Sequence, residues 1–299
     1  MGDVKEKTIN NWFELNGVTA HVDAKLNRKV DGLEVIDSDQ LVGIEVELEN
    51  SGNRVNMSSA IWEGHGDGSL RNNGLEWITR PIPARDAPAA LHELFRGGAE
   101  ACCFTPRTSI HVHFDCTQYT KDQVLDVVLL YLHFEKKLYN FVGRGRIKNI
   151  YCVPINETSL SQALLTDRFD RKVMGWKKYT GLNLLPLRQH GTMEFRHMHG
   201  TSDVRKISLW IRFISSMFNY ALKMGTKDLR KRLSDLWTND AANMLGQEVW
   251  GSDWKYLVSS PPSVSDLLTA KQAFVSLKSV STLNLETFSE SPFATFKGR

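Results

Sequence analysis

The sequence predicts an α+β fold built on an antiparallel sheet, and three observations point there. Strand-like and helix-like segments alternate in mixed order along the 299 residues. The strand candidates are joined by hairpin-length or helical connections. Neither G-x-x-x-x-G-K-[ST] nor G-x-G-x-x-G occurs after a strand, which disfavours the P-loop and dinucleotide-binding parallel sheets.

Taken in order, residues 13–22 read as a hairpin turning at Asn16-Gly17. Residues 41–49 form the clearest strand. Val42, Ile44, Val46 and Leu48 share one face, and Glu45, Glu47 and Glu49 the other. Residues 62–72 are rich in Gly, Asp and Asn and read as loop. A second strand spans 74–80 and is closed by Pro81 and Pro83. A short helix covers 86–96, and a third strand 108–115. Thr120 caps a long amphipathic helix reaching about 141. Residues 150–154 are too short to assign. Strands at 181–187 and 192–198 flank a polar turn at 188–191. The longest helix, 202–224, follows the cap Thr201-Ser202-Asp203 and carries a broad apolar face, which leaves a homo-oligomer open. Helices at 226–237 and 264–276 and a Ser-rich tail complete the chain. The implied domains are an N-terminal extension 1–40, a catalytic domain 41–225 and a helical extension 226–299 packed on it.

Composition narrows the function. A net charge of +3, from 37 basic and 34 acidic residues, gives no strong signal for nucleic acid or an anionic membrane. The one basic run, 143–148, reads as a solvated turn after a helix. The cysteines at 102, 103, 116 and 152 have no zinc-ribbon or C-x-x-C spacing. The first residues lack an apolar run, so no signal peptide is expected, and no segment approaches the roughly 18 apolar residues of a membrane span. The expected setting is cytoplasmic, with reduced thiols.

The chemistry concentrates on four strands. They carry Glu45 and Glu47, then Glu76, then His111 and His113, then Glu194 and Arg196. An i, i+2 spacing puts both members of a pair on one face of a strand. In a common sheet these groups converge. Several carboxylates held together repel, and divalent cations with oxygen ligands offset that repulsion. Carboxylates with one imidazole suit Mg²⁺ or Mn²⁺, and an adjacent arginine suits a phosphate. Each feature alone has a plain structural explanation: a wet strand face, a structural His pair, a surface Glu–Arg pair, or turn chemistry at Asp67. Their joint occurrence shifts the balance.

Six segments in order, Gly43-Ile44-Glu45-Val46-Glu47, Asp67-Gly68-Ser69-Leu70, Gly74-Leu75-Glu76-Trp77, Ile110 to Phe114, Tyr179 to Leu184 and Thr192 to Arg196, resemble the signature of the amidoligases, a branch of the glutamine synthetase and glutamate–cysteine ligase superfamily. The resemblance covers roughly residues 41–200. It implies a curved antiparallel sheet with flanking helices, whose concave face holds ATP and Mg²⁺ or Mn²⁺. It implies an ATP-dependent carboxylate–amine ligase that forms an amide or isopeptide bond through an acyl phosphate, in a bacterium or a bacteriophage. By the same resemblance Glu45, Glu47, Glu76, His111 and Glu194 are metal ligands. His111, His113, Asn183 and Arg196 contact the nucleotide or substrate, and Glu76 and Arg196 are catalytic. The chain departs from relatives after Glu76, where Trp77-Ile78-Thr79-Arg80-Pro81 replaces Ser-Pro and puts the acyl-substrate end in question. The competing readings are a cupin-like metal enzyme using His111 and His113, and an inactive binding protein of the same fold. The identity of the acid and the amine is not written in the sequence.

Overall fold

The computed structural model describes residues 35–51, 55, 58–99, 102–158, 176–236 and 239–258. In chain order they form β1 (Leu41–Leu48), β2 (Trp62–Gly66), β3 (Leu75–Thr79), β4 (Ile82–Pro83), α1 (Ala87–Arg96), β5 (Ser109–Asp115) and α2 (Lys121–Val142). Then come β6 (Leu182–Asn183), α3 (Pro186–Gln189), β7 (Thr192–His199), α4 (Val204–Met224), α5 (Thr226–Ser234), α6 (Asn239–Trp250) and α7 (Trp254–Leu257). The class is α+β, as expected. The 13–22 hairpin, the 264–276 helix and the Ser-rich tail lie outside the described residues. Among the described residues no helix is long and apolar enough to cross a membrane. The elements divide into two compact units. One holds the residues up to Thr117 with Pro186–Arg212, the other Gln118–Leu185 with the residues from Phe213 onward.

The first unit is the antiparallel sheet β2-β3-β1-β5-β7, with β4 paired to the start of β1. The alternation in β1 sets its two faces. Val42, Ile44, Val46 and Leu48 are fully buried, and opposite them Ile110, Val112, Phe114, Met193 and Phe195 complete an apolar layer. Phe114 and Phe195 meet edge to face, with centroids 5.5 Å apart. Where β1 passes from β4 to β3, the Ile44 N–H donates to Thr79 Oγ1 at 2.9 Å, so the ladder loses no buried donor there.

β2 corrects the expectation of a loop at 62–66. Its sequence, Trp62-Glu63-Gly64-His65-Gly66, carries no strand pattern, and the strand exists because β3 pairs with it. Two side chains seat it. The Trp62 indole N–H donates to the Ala90 carbonyl of α1 at 2.8 Å. At Gly64 a β-carbon would stand only 3.2 Å from the Trp77 ring, so glycine lets the strand lie flat on that indole.

In the second unit α2 begins where expected. Thr120 Oγ1 accepts from the Gln123 N–H and Gln123 Oε1 accepts from the Thr120 N–H, a reciprocal cap. Arg230 of α5 reaches Asp122 and Asp126 of α2, each at 2.8 Å. Phe134, Trp250 and Trp254 form an aromatic core. The expected strand 181–187 is only β6, and Pro186 then starts α3. A proline cannot donate to a ladder but fits a helix start. Helices α6 and α7 follow α5 and were not anticipated from the sequence.

Candidate active site

The register assembles the predicted residues on the face of the sheet opposite the apolar layer. Directly paired residues in antiparallel strands project to the same side. One row crosses β2, β3 and β1 as His65, Glu76 and Glu47. The next runs Glu63, Ile78, Glu45 and His111. A third joins Gly43, His113 and Glu194. Beyond His113 the pairing slips: Val112 faces Phe195, but Ile110 faces Met198, so β7 carries one extra residue. Alternation keeps Arg196 on the side of Glu194 and turns His197 into the core against Trp210, with ring centroids 5.1 Å apart, and the bulge then lets the next residue, Met198, face the core as well, opposite Ile110.

All seven sheet residues thus lie in one connected polar cluster, Glu76 entering it beside Glu45 and Glu47. His111 Nδ1 is 3.0 Å from Glu45 Oε2 and 3.6 Å from Glu194 Oε1. Its Nε2 is 4.0 Å from Glu47 Oε1. His113 Nε2 pairs with Glu45 Oε1 at 2.9 Å, and Arg196 pairs closely with Glu194. Donor atoms of Glu45, His111 and Glu194 lie within 4.8 Å of one another, as do those of Glu47, Glu76 and His111.

Hydrogen bonding fixes the tautomer of His111. The Ser109 hydroxyl donates to Glu47 Oε2 at 2.6 Å, and the Ser109 N–H donates to the same oxygen at 2.8 Å. Ser109 Oγ is also 2.8 Å from His111 Nε2. Its own proton is already committed, so Nε2–H donates to it. The Nδ1 lone pair of a neutral His111 then points at two carboxylates. That arrangement is stable only with a proton or a cation on Nδ1.

The electrostatics carry the same message. Burial pushes the Glu76 carboxyl up, and Glu45, Glu47 and Asp67 push it further, to about 9. Burial also raises Glu45, but His113 and His111 outweigh it and hold Glu45 well below the usual carboxylate range. For Glu194 the burial cost is outweighed by Arg196 and the histidines, and its pKa falls. Burial lowers the His113 imidazole, yet Glu45 and Glu194 hold it above the ordinary histidine value. Its neighbours thus favour the charged form of His113. Hard carboxylates around one imidazole fit Mg²⁺ or Mn²⁺; a cation there would offset the burial and the carboxylate repulsion that together raise the Glu76 carboxyl.

Four contributors were missed in the sequence. Ser109 orients Glu47 and His111, and Thr192 Oγ1 lies 2.9 Å from His113 Nδ1. His65 shares a row with Glu76. His190 lies near enough to His113 that the two repel, which together with burial lowers it to about 4. Ser109 and Thr192 stand in strands at the right parity, two residues before His111 and Glu194, so an extended i, i+2 search would have found them. Glu49 takes a different role, accepting the Arg71 N–H at 3.0 Å to hold the loop before β3. Asp67 shapes that loop as expected, accepting the Ser69 N–H at 2.7 Å. Asn183, in the second unit, is buried, and its side-chain oxygen accepts the Leu185 N–H at 3.1 Å, bending the chain out of β6.

No curated protein matches the chain. The family model described as putative amidoligase enzyme matches residues 45–218, more than half of the chain, and the span runs from Glu45 past Arg196. The chain belongs to this family of amide-bond ligases.

Proposed function

We propose that the chain is an ATP- and divalent-metal-dependent ligase that joins a carboxylate to an amine through an acyl phosphate, on a glutamine-synthetase-like sheet. The observation that carries this reading is His111 Nδ1 held 3.0 Å from Glu45 and 3.6 Å from Glu194, where a cation could replace a proton, beside Glu76 with its carboxyl pushed up to about 9. Glu45, His111 and Glu194 would hold one cation, with Glu47 and Glu76 available to another. Bound Mg²⁺ or Mn²⁺ would offset the charge where the triphosphate and the acid substrate meet.

The remaining steps belong to side chains of this chain. The carboxylate attacks the γ-phosphorus of ATP and ADP leaves, giving the acyl phosphate. The amine then attacks the acyl carbon, phosphate leaves, and the nitrogen loses a proton. Arg196 is fixed by Glu194 with its charge on the polar face, where it favours the transferring phosphoryl oxygens. His113, whose charged form Glu45 and Glu194 favour, would add to the positive character of the face. Glu76 would serve as the base for the proton lost from the attacking ammonium only after giving up its own proton, one that its surroundings favour when the site is empty of charge-neutralising cations. ATP-driven amide synthesis suits the cytosol of a bacterium or of a phage-infected host.

The test is ADP release from the full chain across a screen of acid and amine pairs, with Glu47→Gln and Arg196→Ala alongside. Both substitutions are expected to abolish turnover while thermal unfolding still shows a folded protein. Retained turnover in either variant would sink the assignment.

A further inference from the structure

β2 is the outer strand at one end of the sheet, and its free side lies beside the polar face. The Arg80 N–H donates to the Ile61 carbonyl at 2.9 Å, so the hydrogen-bonded pairs with β3 are Ile61/Arg80, Glu63/Ile78 and His65/Glu76. Alternation then turns the backbone groups of Trp62, Gly64 and Gly66 outward. The chain closes the first of these itself, because the Trp62 N–H donates to Ser59 Oγ at 3.1 Å. Gly64 and Gly66 follow in a strand of which four of the five residues are exposed. Among the described residues no strand covers them. A β-carbon at Gly66 would meet nothing within 4 Å, so packing within the chain does not call for glycine there. Glycine in a strand suits the close approach of a second backbone.

We propose that an extended peptide pairs with β2 through Gly64 and Gly66 and presents a lysine side chain as the amine to be joined; this rests on the ligase reading above. A strand added antiparallel to β2 continues the rows of the polar face by one column. Its residue opposite His65 falls in the row of Glu76 and Glu47. From there to the Glu76 Cα is about 10 Å, roughly 4.5 Å across the first pair and 5.5 Å across the second. The four-carbon stem of a lysine and the side chain of Glu76 bridge that span between them. The charge matches as well. Glu63 and Glu76 line this corner and Asp67 lies near Glu76, against the single imidazole of His65. An acidic corner draws an ammonium and repels a carboxylate, which makes the peptide the amine partner and not the acid. Having lost its proton to a carboxylate of the face or to water, the lysine nitrogen bonds to the acyl carbon. The carbon–oxygen bond to phosphate breaks as it does so, leaving an isopeptide bond and free phosphate. Pairing with β2 of a second copy would instead set two acidic corners side by side.

The probe is a pool of capped peptides of about six residues, the ordinary length of a strand, with a central lysine between randomised Thr, Val and Ser. It is titrated into the full chain labelled with ¹⁵N-glycine, by calorimetry and by hydrogen exchange of the Gly64 and Gly66 amides. Both amides should become protected. N-methylation of a peptide nitrogen that faces β2 should weaken binding at least about fivefold, the worth of one hydrogen bond, and methylation of the alternate nitrogens should not. Gly66→Pro deletes an outward N–H without touching the ladder to β3 and should weaken binding likewise. Thermal unfolding checks that this variant folds, and the methylation series on wild type stands independently of it. Norleucine in place of lysine should also bind at least about fivefold more weakly. With ATP, Mg²⁺ and a panel of acids, the lysine pool should support turnover at lower concentration than Nα-acetyl-lysine methylamide. Failure of the pool to bind or to protect Gly64 and Gly66, equal binding of the norleucine pool, or equal use of the small amine overturns the proposal. Metal-dependent ATP binding in the same sample then keeps the ligase reading. Absence of that ATP binding overturns the ligase reading and the role of the lysine with it. Self-association that Gly66→Pro abolishes overturns the peptide in favour of a second copy.

Discussion

Ser109 offers the sharpest perturbation of the site because it sets the tautomer of His111 without being a ligand itself. Replacing it with alanine deletes the hydroxyl that donates to Glu47 at 2.6 Å and accepts from His111 Nε2–H at 2.8 Å. His111 is 2% exposed, so its Nε2–H is left without water or acceptor. An unsatisfied buried donor costs about 1–3 kcal/mol. The ring can escape that cost by moving its proton to Nδ1, where Glu45 lies at 3.0 Å. That move consumes the lone pair a cation needs. By either route Mn²⁺ affinity should fall about 10- to 100-fold, the range expected for groups that orient a metal ligand. Calorimetric titration of wild type and Ser109→Ala with Mn²⁺ measures it directly. An affinity unchanged in a folded Ser109→Ala protein would refute the tautomer and the lone pair inferred from it.

Three further outcomes are expected. Without a cation Glu76 keeps its proton up to about pH 9, so binding there must release about one proton; metal affinity should rise about tenfold per pH unit between pH 6 and 8, and a flat profile would contradict this. In the second unit, burial raises Glu135 from 4.5 to about 7 even though it accepts from the Tyr131 hydroxyl and the Ile155 and Asn156 N–H groups. Its stabilisation is complete below pH 4.5 and is lost as pH rises through 7, a fall of about 3 kcal/mol in unfolding free energy that Glu135→Gln should flatten. That same variant should cost about 1–3 kcal/mol at pH 5, because one backbone N–H loses its acceptor. Gly191 has φ +68°, and a β-carbon there would overlap Thr117 Cγ2 at 2.4 Å, so Gly191→Ala should lower the melting temperature and disturb the entry to β7.

What the sequence revealed followed periodicity. β1, β5 and β7 carry alternation strong enough to fix which residues share a face, and the pairs Glu45/Glu47, His111/His113 and Glu194/Arg196 were readable for that reason. The long helices α2 and α4 announced themselves by caps and apolar stripes. β2 did not, because its residues have little strand preference and its existence depends on Trp77 and on the exposed backbone of β3. Missing β2 also hid His65. The roles of the two histidines were equally unreadable: spacing makes them equivalent, and only the Ser109 and Thr192 hydroxyls, brought in by pairing, tell them apart. The bulge that puts Met198 on the core side next to His197 likewise arises between strands and leaves no mark in either one. Asn183 was singled out by resemblance alone, and its bond to the Leu185 N–H was not readable from any periodicity.

The central claim is that this polar face binds ATP through divalent cations held by its carboxylates. Calorimetric titration of ATP into wild type and Glu47→Gln, each with Mg²⁺, with Mn²⁺ and with chelator, tests it most directly. The expected result is nucleotide binding in wild type that requires the metal and is lost in Glu47→Gln. Absence of binding at millimolar ATP, or binding indifferent to both the metal and Glu47, would contradict it.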